Sequence, residues 1–175
     1  APLPVWDPVA DGPSISLAHG TAIEDQPITL DISVSPRDTD ASSPESVVEP
    51  VLVRVPVGYS LSTGTPTGTA GEFALTIAQL SSVTLIPPSS PTHIHDVPIP
   101  ITVIATTNEP GAGATSSQTF HISMIADADA PQATASNASG NEDSVISLAG
   151  LSAMLVDQDG SEILSVTISG IPMDS

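Results

Sequence analysis

Apolar residues recur at every second position in short runs along this chain, and each run stops at a cluster of Pro, Gly or Ser. Ile28, Leu30, Ile32 and Val34 alternate with polar partners, and β-branched residues dominate the later runs. A period of two places alternate side chains on opposite faces, so these runs predict strands over 28–34, 51–57, 72–77, 83–86, 99–106 and 117–125. No segment keeps a helical period with caps, and 18 prolines with 12 glycines interrupt the chain too often for long helices. Only Ala78-Gln-Leu80 is expected to form a helical turn, crossing between sheets. Six or seven strands at this spacing imply an all-β fold: antiparallel Ig-like or cadherin-like β-sandwich repeats in tandem.

The tandem expectation comes from self-similarity. The Ala-Asp-small-Pro core of 9–13 returns at 127–131, and at the same offset of about 118 residues Glu24-Asp25 falls on Glu142-Asp143. Ile28 and Leu30 then fall on Ile146 and Leu148. One residue out of register, Asp38-Thr-Asp40 matches Asp157-Gln-Asp159, and Val55-Pro56 matches Ile171-Pro172. The resulting expectation is the end of a preceding linker over 1–11, a complete sandwich repeat over 12–130, and the N-terminal part of a further repeat over 131–175. A repeat this long fits a bead in a string of separately folded domains better than a solenoid turn.

Charge changes the picture. Two basic residues stand against 20 acidic ones, a formal net charge of -18, which argues against nucleic acid and anionic lipid as partners. Only 13% of residues are charged while 39% are hydrophobic, so the chain can build a core, and with 2% aromatics that core must be aliphatic. Cysteine is absent, which removes disulfides as a staple. No apolar run is long enough to span a membrane, and no secretory leader pattern opens the sequence. Because the pattern starts and stops in mid-motif, the chain reads as a fragment of a longer one.

The acidic residues are grouped. Asp127-Ala-Asp129, Asn141-Glu142-Asp143 and Asp157-Gln-Asp159 with Glu162 cluster around the junction of the two units, and the first unit carries Asp11, Glu24, Asp25, Asp38, Asp40 and Glu45. Domain start, first hairpin turn and incoming linker are expected to meet at one pole, bringing seven carboxylates together there without a nearby cation. A divalent ion resolves that repulsion. Calcium takes six to eight oxygens from carboxylates, carbonyls and water, and an Asp-x-Asp loop offers two of them from one side of an extended backbone. Magnesium demands tighter octahedral geometry, and zinc prefers Cys and His. The bland reading, solvated turns, suits any single Asp. Glu109, in the turn after Asn108, is a further candidate from a neighbouring loop.

Glu142-Asp-Ser-Val-Ile-Ser-Leu148, the run 157–172 and the junction 126–131 resemble the tandem extender repeats of giant RTX adhesins, and 73–80 followed by 83–88 resembles the mid-repeat segment of that family. The resemblance covers almost the whole chain. It implies a cadherin-like sandwich, Ca2+ at interdomain linkers, type I secretion, an extracellular place on the bacterial cell surface, neighbouring repeats as partners, and a role in adhesion or biofilm formation. One departure is that Asp38-Thr-Asp-Ala-Ser-Ser-Pro-Glu45 stands where Asp-x-Asp-Gly-Ser-Glu is expected.

Three other readings compete. A carbohydrate- or protein-binding module needs exposed aromatics, for which only Trp6, Tyr59, Phe73 and Phe120 are available. A hydrolase would draw on His19, His93, His95 and His121, but no nucleophile motif accompanies them, and the chain is not expected to be an enzyme. A strand-complemented filament subunit would follow if the second unit were completed by another chain.

Overall fold

A computed structural model of the chain describes residues 10–37, 44–88, 97–109, 112–156, 160 and 162–170. The described chain divides into two compact units with the boundary between Ile125 and Ala126. That is five residues before the junction expected from the repeat.

In the first unit, β1 (Ser14–His19) and β2 (Ile28–Ser35) pair antiparallel through six registered positions, from Ser14 opposite Ser35 to His19 opposite Leu30. β3 (Ser46–Arg54) follows, with a register shift between Val48 and Leu52. Two short strands, β4 (Ser60–Leu61) and β5 (Thr65–Pro66), precede β6 (Glu72–Leu75). The helical turn α1 (Ile77–Leu80) leads into β7 (Val83–Ile86), and the long hairpin of β8 (Ile99–Glu109) and β9 (Ala112–Ile122) closes the unit. The strands form two antiparallel sheets, ordered β1-β2-β7-β4 and β5-β6-β3-β8-β9.

The two sheets bury one face each against the other. β2 contributes Ile28, Leu30 and Ile32, and β8 contributes Ile99, Ile101, Val103 and Ala105, each no more than 4% exposed. Burying one such aliphatic side chain stabilises a fold by about 1.5–3 kcal/mol, so the alternation is what selects the inward faces. The buried core is wholly aliphatic, while Tyr59, Phe73 and Phe120 pack at its rim, partly buried. The all-β, antiparallel sandwich expected from the pattern is therefore the observed architecture.

The expected helical turn is present at 77–80. The Gln79 side chain accepts a hydrogen bond from the Thr76 N–H at 2.9 Å, and Leu80 is buried. β1 lay outside the expected strands because Ile15 and Leu17 alone among Ser, Ala and His make too short an alternation to stand out. β3 begins five residues before its expected start, since Glu49 and Pro50 break the apolar pattern at the register shift. Gly71, at φ +74°, holds the turn before β6, where a Cβ would lie 2.3 Å from the Val55 carbonyl oxygen. The neighbouring Arg54 and Glu72 form an ion pair of 2.6 Å, and the Thr67 hydroxyl donates to the same carboxylate. Together they hold that carboxyl below its ordinary range, the Thr67 hydrogen bond contributing most.

The second unit contains a hairpin of β10 (Gln132–Thr134) and β11 (Ser152–Met154), paired antiparallel. Its turn conformation and register follow those of the first hairpin, over a shorter ladder. Asp25 and Asp143, at φ 55° and 59°, are the non-glycine residues in the left-handed region among those described, and they occupy matching positions. Gln132 pairs with Met154 as Ser14 pairs with Ser35, which is the one-residue shift the sequence match requires.

Candidate metal centre

Along β8 the inward positions run Ile99, Ile101, Val103, Ala105, Thr107, Glu109, so the apolar face ends in a hydroxyl and then a carboxylate. On β3, Ser46 lies opposite Asn108, and continuing that register sets Glu45 opposite Glu109. Both glutamates are buried, at 7% and 3% exposure. Asp11 reaches the same end of the sandwich: its N–H donates to Glu45 Oε1 at 2.5 Å, and its carbonyl accepts from Thr107 Oγ1 at 2.5 Å. Glu109 Oε2 is buried and accepts no hydrogen bond.

The second unit builds the same motif from matching residues. The Asp129 N–H donates to Glu162 Oε1, and Glu162 Oε2 is buried without a hydrogen-bond partner. In both units, then, a linker Asp amide fixes one oxygen of a loop glutamate. In both, a carboxylate oxygen, of Glu109 in one and Glu162 in the other, is left without a donor. Removing an anionic oxygen from water with no partner costs several kcal/mol, and a cation is the group that offsets it.

Glu24 and Asp25 stand elsewhere. The Glu24 N–H donates to the Ile125 carbonyl at 3.0 Å, and Ile125 donates back to the Ala22 carbonyl at 2.8 Å. β1 separates this site from Asp11, and six residues of strand span about 20 Å. The expectation that domain start and first hairpin turn share a pole is therefore corrected for the first unit: a strand between them carries them to opposite ends. Glu24 is buried and Asp25 exposed, and Tyr59 lies near both. The Tyr59 hydroxyl is pushed up to about 12, chiefly by burial, with the charges of Asp25 and Glu24 adding to it.

Glu142 and Asp143 occupy the corresponding turn in the second unit, where the Ser144 hydroxyl donates to the Asn141 carbonyl at 2.5 Å. Asp127 lies in the exposed segment that opens this unit. Asp38, Asp40, Asp157 and Asp159 fall outside the described residues, as do Trp6, His93, His95 and the Ile171-Pro172 match. Among the described residues, no three acidic or histidine side chains form a preassembled metal-binding group. The glutamates that the structure buries at the pole were the least prominent in the sequence. Glu45 and Glu109 sit outside any Asp-x-Asp motif, and the available signal was a carboxylate at the inward phase of a strand.

His19 and His121 are exposed, the former's Nδ1 lying 2.7 Å from the Gly20 carbonyl. No helix among the described residues is long and apolar enough to cross a membrane. The fold defines the chain as an antiparallel β-sandwich protein with carboxylates buried at the sandwich ends. No known protein-family model, curated protein or solved structure matches it.

Proposed function

We propose that this chain is a calcium-rigidified extender segment of a bacterial surface adhesin, built from cadherin-like repeats and serving to hold an adhesive region away from the cell. The observation that carries the reading is the buried carboxylate oxygen left without a hydrogen-bond donor, present on Glu109 and again on Glu162. At the first pole, Glu45 and Glu109 supply inward-facing carboxylates and Asp11 lies in the entering chain, while Asp38 and Asp40, outside the described residues, precede Glu45 in the sequence. In the second unit, Asp129 and Glu162 take the corresponding parts, and Asp157 and Asp159, also outside the described residues, precede Glu162 in the sequence. These are hard oxygen donors of the type that Ca2+ takes, and a bound ion would offset the charge of the unpartnered Glu109 and Glu162 oxygens.

Mechanically, each candidate set combines a linker Asp with loop residues of the unit that follows it. An ion shared between them would restrict the linker torsions whose entropy otherwise favours bending. A chain of net charge -18 gains further, because each bound ion reduces its self-repulsion. The resemblance to RTX adhesin repeats supports an extracellular place and type I secretion. The competing glycan-binding reading has less to stand on, since Tyr59, Phe73 and Phe120 pack against the core instead of forming an exposed platform.

Small-angle scattering and thermal melting, each with calcium and with chelator, test the proposal. The expected result is a longer, narrower distribution of distances and a higher Tm in calcium. Equal dimensions and equal Tm in both conditions would reject it.

A further inference from the structure

On the inward face of β8, Ile99, Ile101, Val103 and Ala105 precede Thr107, which is 0% exposed. Valine has the same shape and would continue that apolar face, so the hydroxyl is the feature that needs a reason. Burying a hydroxyl is unfavourable unless it is hydrogen-bonded. Thr107 Oγ1 donates across 96 positions of sequence to the Asp11 carbonyl at 2.5 Å, and the Ala114 carbonyl lies 3.3 Å from the same oxygen. A hydroxyl has one proton to give. Asp11 holds it, while Ala114, opposite Thr107 in the β8–β9 ladder, is the second acceptor within reach. Asp11 is thereby gripped by both of its backbone groups, since its N–H donates to Glu45 Oε1. The residue itself is exposed, so the attachment runs through the main chain. Gly12 lets the chain lie close to β9, where a Cβ would collide with Ser116 Oγ, and Pro13 beyond it is buried.

We infer that Thr107 is a positioning residue that latches the entering chain onto the sandwich: its hydroxyl ties Asp11 to β8 and seats the linker before any ion binds. Release of the linker does not strand the hydroxyl, because turning the O–H toward the Ala114 carbonyl keeps it bonded. The latch therefore exchanges one hydrogen bond for another, and its grip is modest and reversible. A neutral hydrogen bond of this kind shifts an equilibrium by about 2- to 10-fold. The consequence for the pole rests on the calcium reading above. A linker already seated beside Glu45 takes up an ion without first being ordered, so the latch raises the affinity of the site by the same factor.

The test compares the 175-residue parent with Thr107→Val, which keeps the shape and removes the hydroxyl, and with Thr107→Ser, which keeps the hydroxyl. Amide hydrogen exchange is followed by NMR in chelator. The Asp11 N–H is expected to exchange about 2- to 10-fold faster in Thr107→Val and at the parental rate in Thr107→Ser, with Leu30 and Val103 unchanged in all three proteins. The latch is overturned if Asp11 exchanges equally in the parent and Thr107→Val, or if Thr107→Ser fails to restore the parental rate. It is overturned too if Leu30 and Val103 accelerate by the same factor as Asp11, because the hydroxyl would then support the whole sandwich and not the linker. Calcium titration reads the positioning role. The Kd is expected to rise about 2- to 10-fold in Thr107→Val and to return in Thr107→Ser, and an unchanged Kd in Thr107→Val would overturn that role. A parent that binds no calcium would defeat the calcium reading and the positioning role together, while exchange at Asp11 in chelator would still decide the latch.

Discussion

Residues 28–35 and 146–154 carry related patterns and reach different ends. In the first unit, β1 and β2 pair over six positions and lay an apolar face against a second sheet. In the second, β10 and β11 pair over three positions, and the equivalent apolar residues stay about half exposed. An isolated hairpin is marginal in water, whereas a hairpin with an apolar face packed on another sheet is held along its length. The alternation thus chooses which side chains face inward, but the opposing sheet decides whether the ladder extends. Local turn geometry needs no such support, since Asp25 and Asp143 adopt the same left-handed backbone in both units.

The largest contrast should appear in truncation of matching leucines. Leu30→Ala, at a site with 0% exposure, is expected to cost about 2–5 kcal/mol in urea unfolding. Leu148→Ala, at 56% exposure, is expected to stay within about 0.5 kcal/mol. Similar losses at both sites would erase the distinction between the units.

Glycines sharpen the same comparison at a smaller scale. Gly71→Ala should destabilise by about 1–3 kcal/mol, combining a positive φ with a Cβ placed against the Val55 carbonyl. Gly160 shares the positive φ, at +98°, but a Cβ there would meet nothing within 4 Å, so Gly160→Ala should cost less. Equal Tm shifts for the two variants would show that contact adds nothing to backbone strain.

Two pH effects belong to the first unit. Because folding raises the Tyr59 hydroxyl from its ordinary value near 10 to about 12, its contribution is complete below pH 10 and is lost as pH rises toward 12. Tyr59 is the single tyrosine, so phenolate absorbance reports this ionisation directly, and Tyr59→Phe should remove that part of the alkaline loss. A midpoint near 10 in the folded protein would contradict the burial described for this site. Glu72 behaves oppositely. Its carboxyl is held low, so its contribution is present above the ordinary carboxylate value and fades as pH falls through the depressed one. Arg54 is more than half exposed, which makes this the smallest of the effects. Melting of Glu72→Gln against the parent across the acid range should show the two curves converging at low pH.

Much of the first unit was legible in the sequence. The runs over 28–34, 83–86 and 99–106 are strands because strict alternation or β-branching leaves one face to bury, and the turn at 77–80 follows from its place between two of them. β1 and the early half of β3 were not, since Ser14–His19 carries two large apolar residues and Glu49-Pro50 interrupts β3. For the site, the matching acidic positions were visible as spacing. Which of them share an end of the sandwich was not, because that depends on counting a strand between Asp11 and Glu24 that the pattern did not reveal. The buried pair Glu45 and Glu109 lies 64 residues apart in sequence and meets only through the β3–β8 register.

We propose that a divalent cation compensates the Glu109 carboxylate oxygen left unpartnered at the Glu45–Glu109 pole. Calorimetric calcium titration of the parent chain and of Glu109→Gln tests it most directly, with unfolding measured in parallel. The account predicts saturable binding in the parent and a stabilisation of about 2.7 kcal/mol at a calcium concentration one hundred times the Kd. It also predicts one fewer site in Glu109→Gln, whose calcium-free form melts no lower than the parent because a buried charge has been removed. Identical binding isotherms for the two proteins, or no binding heat in either, would contradict it.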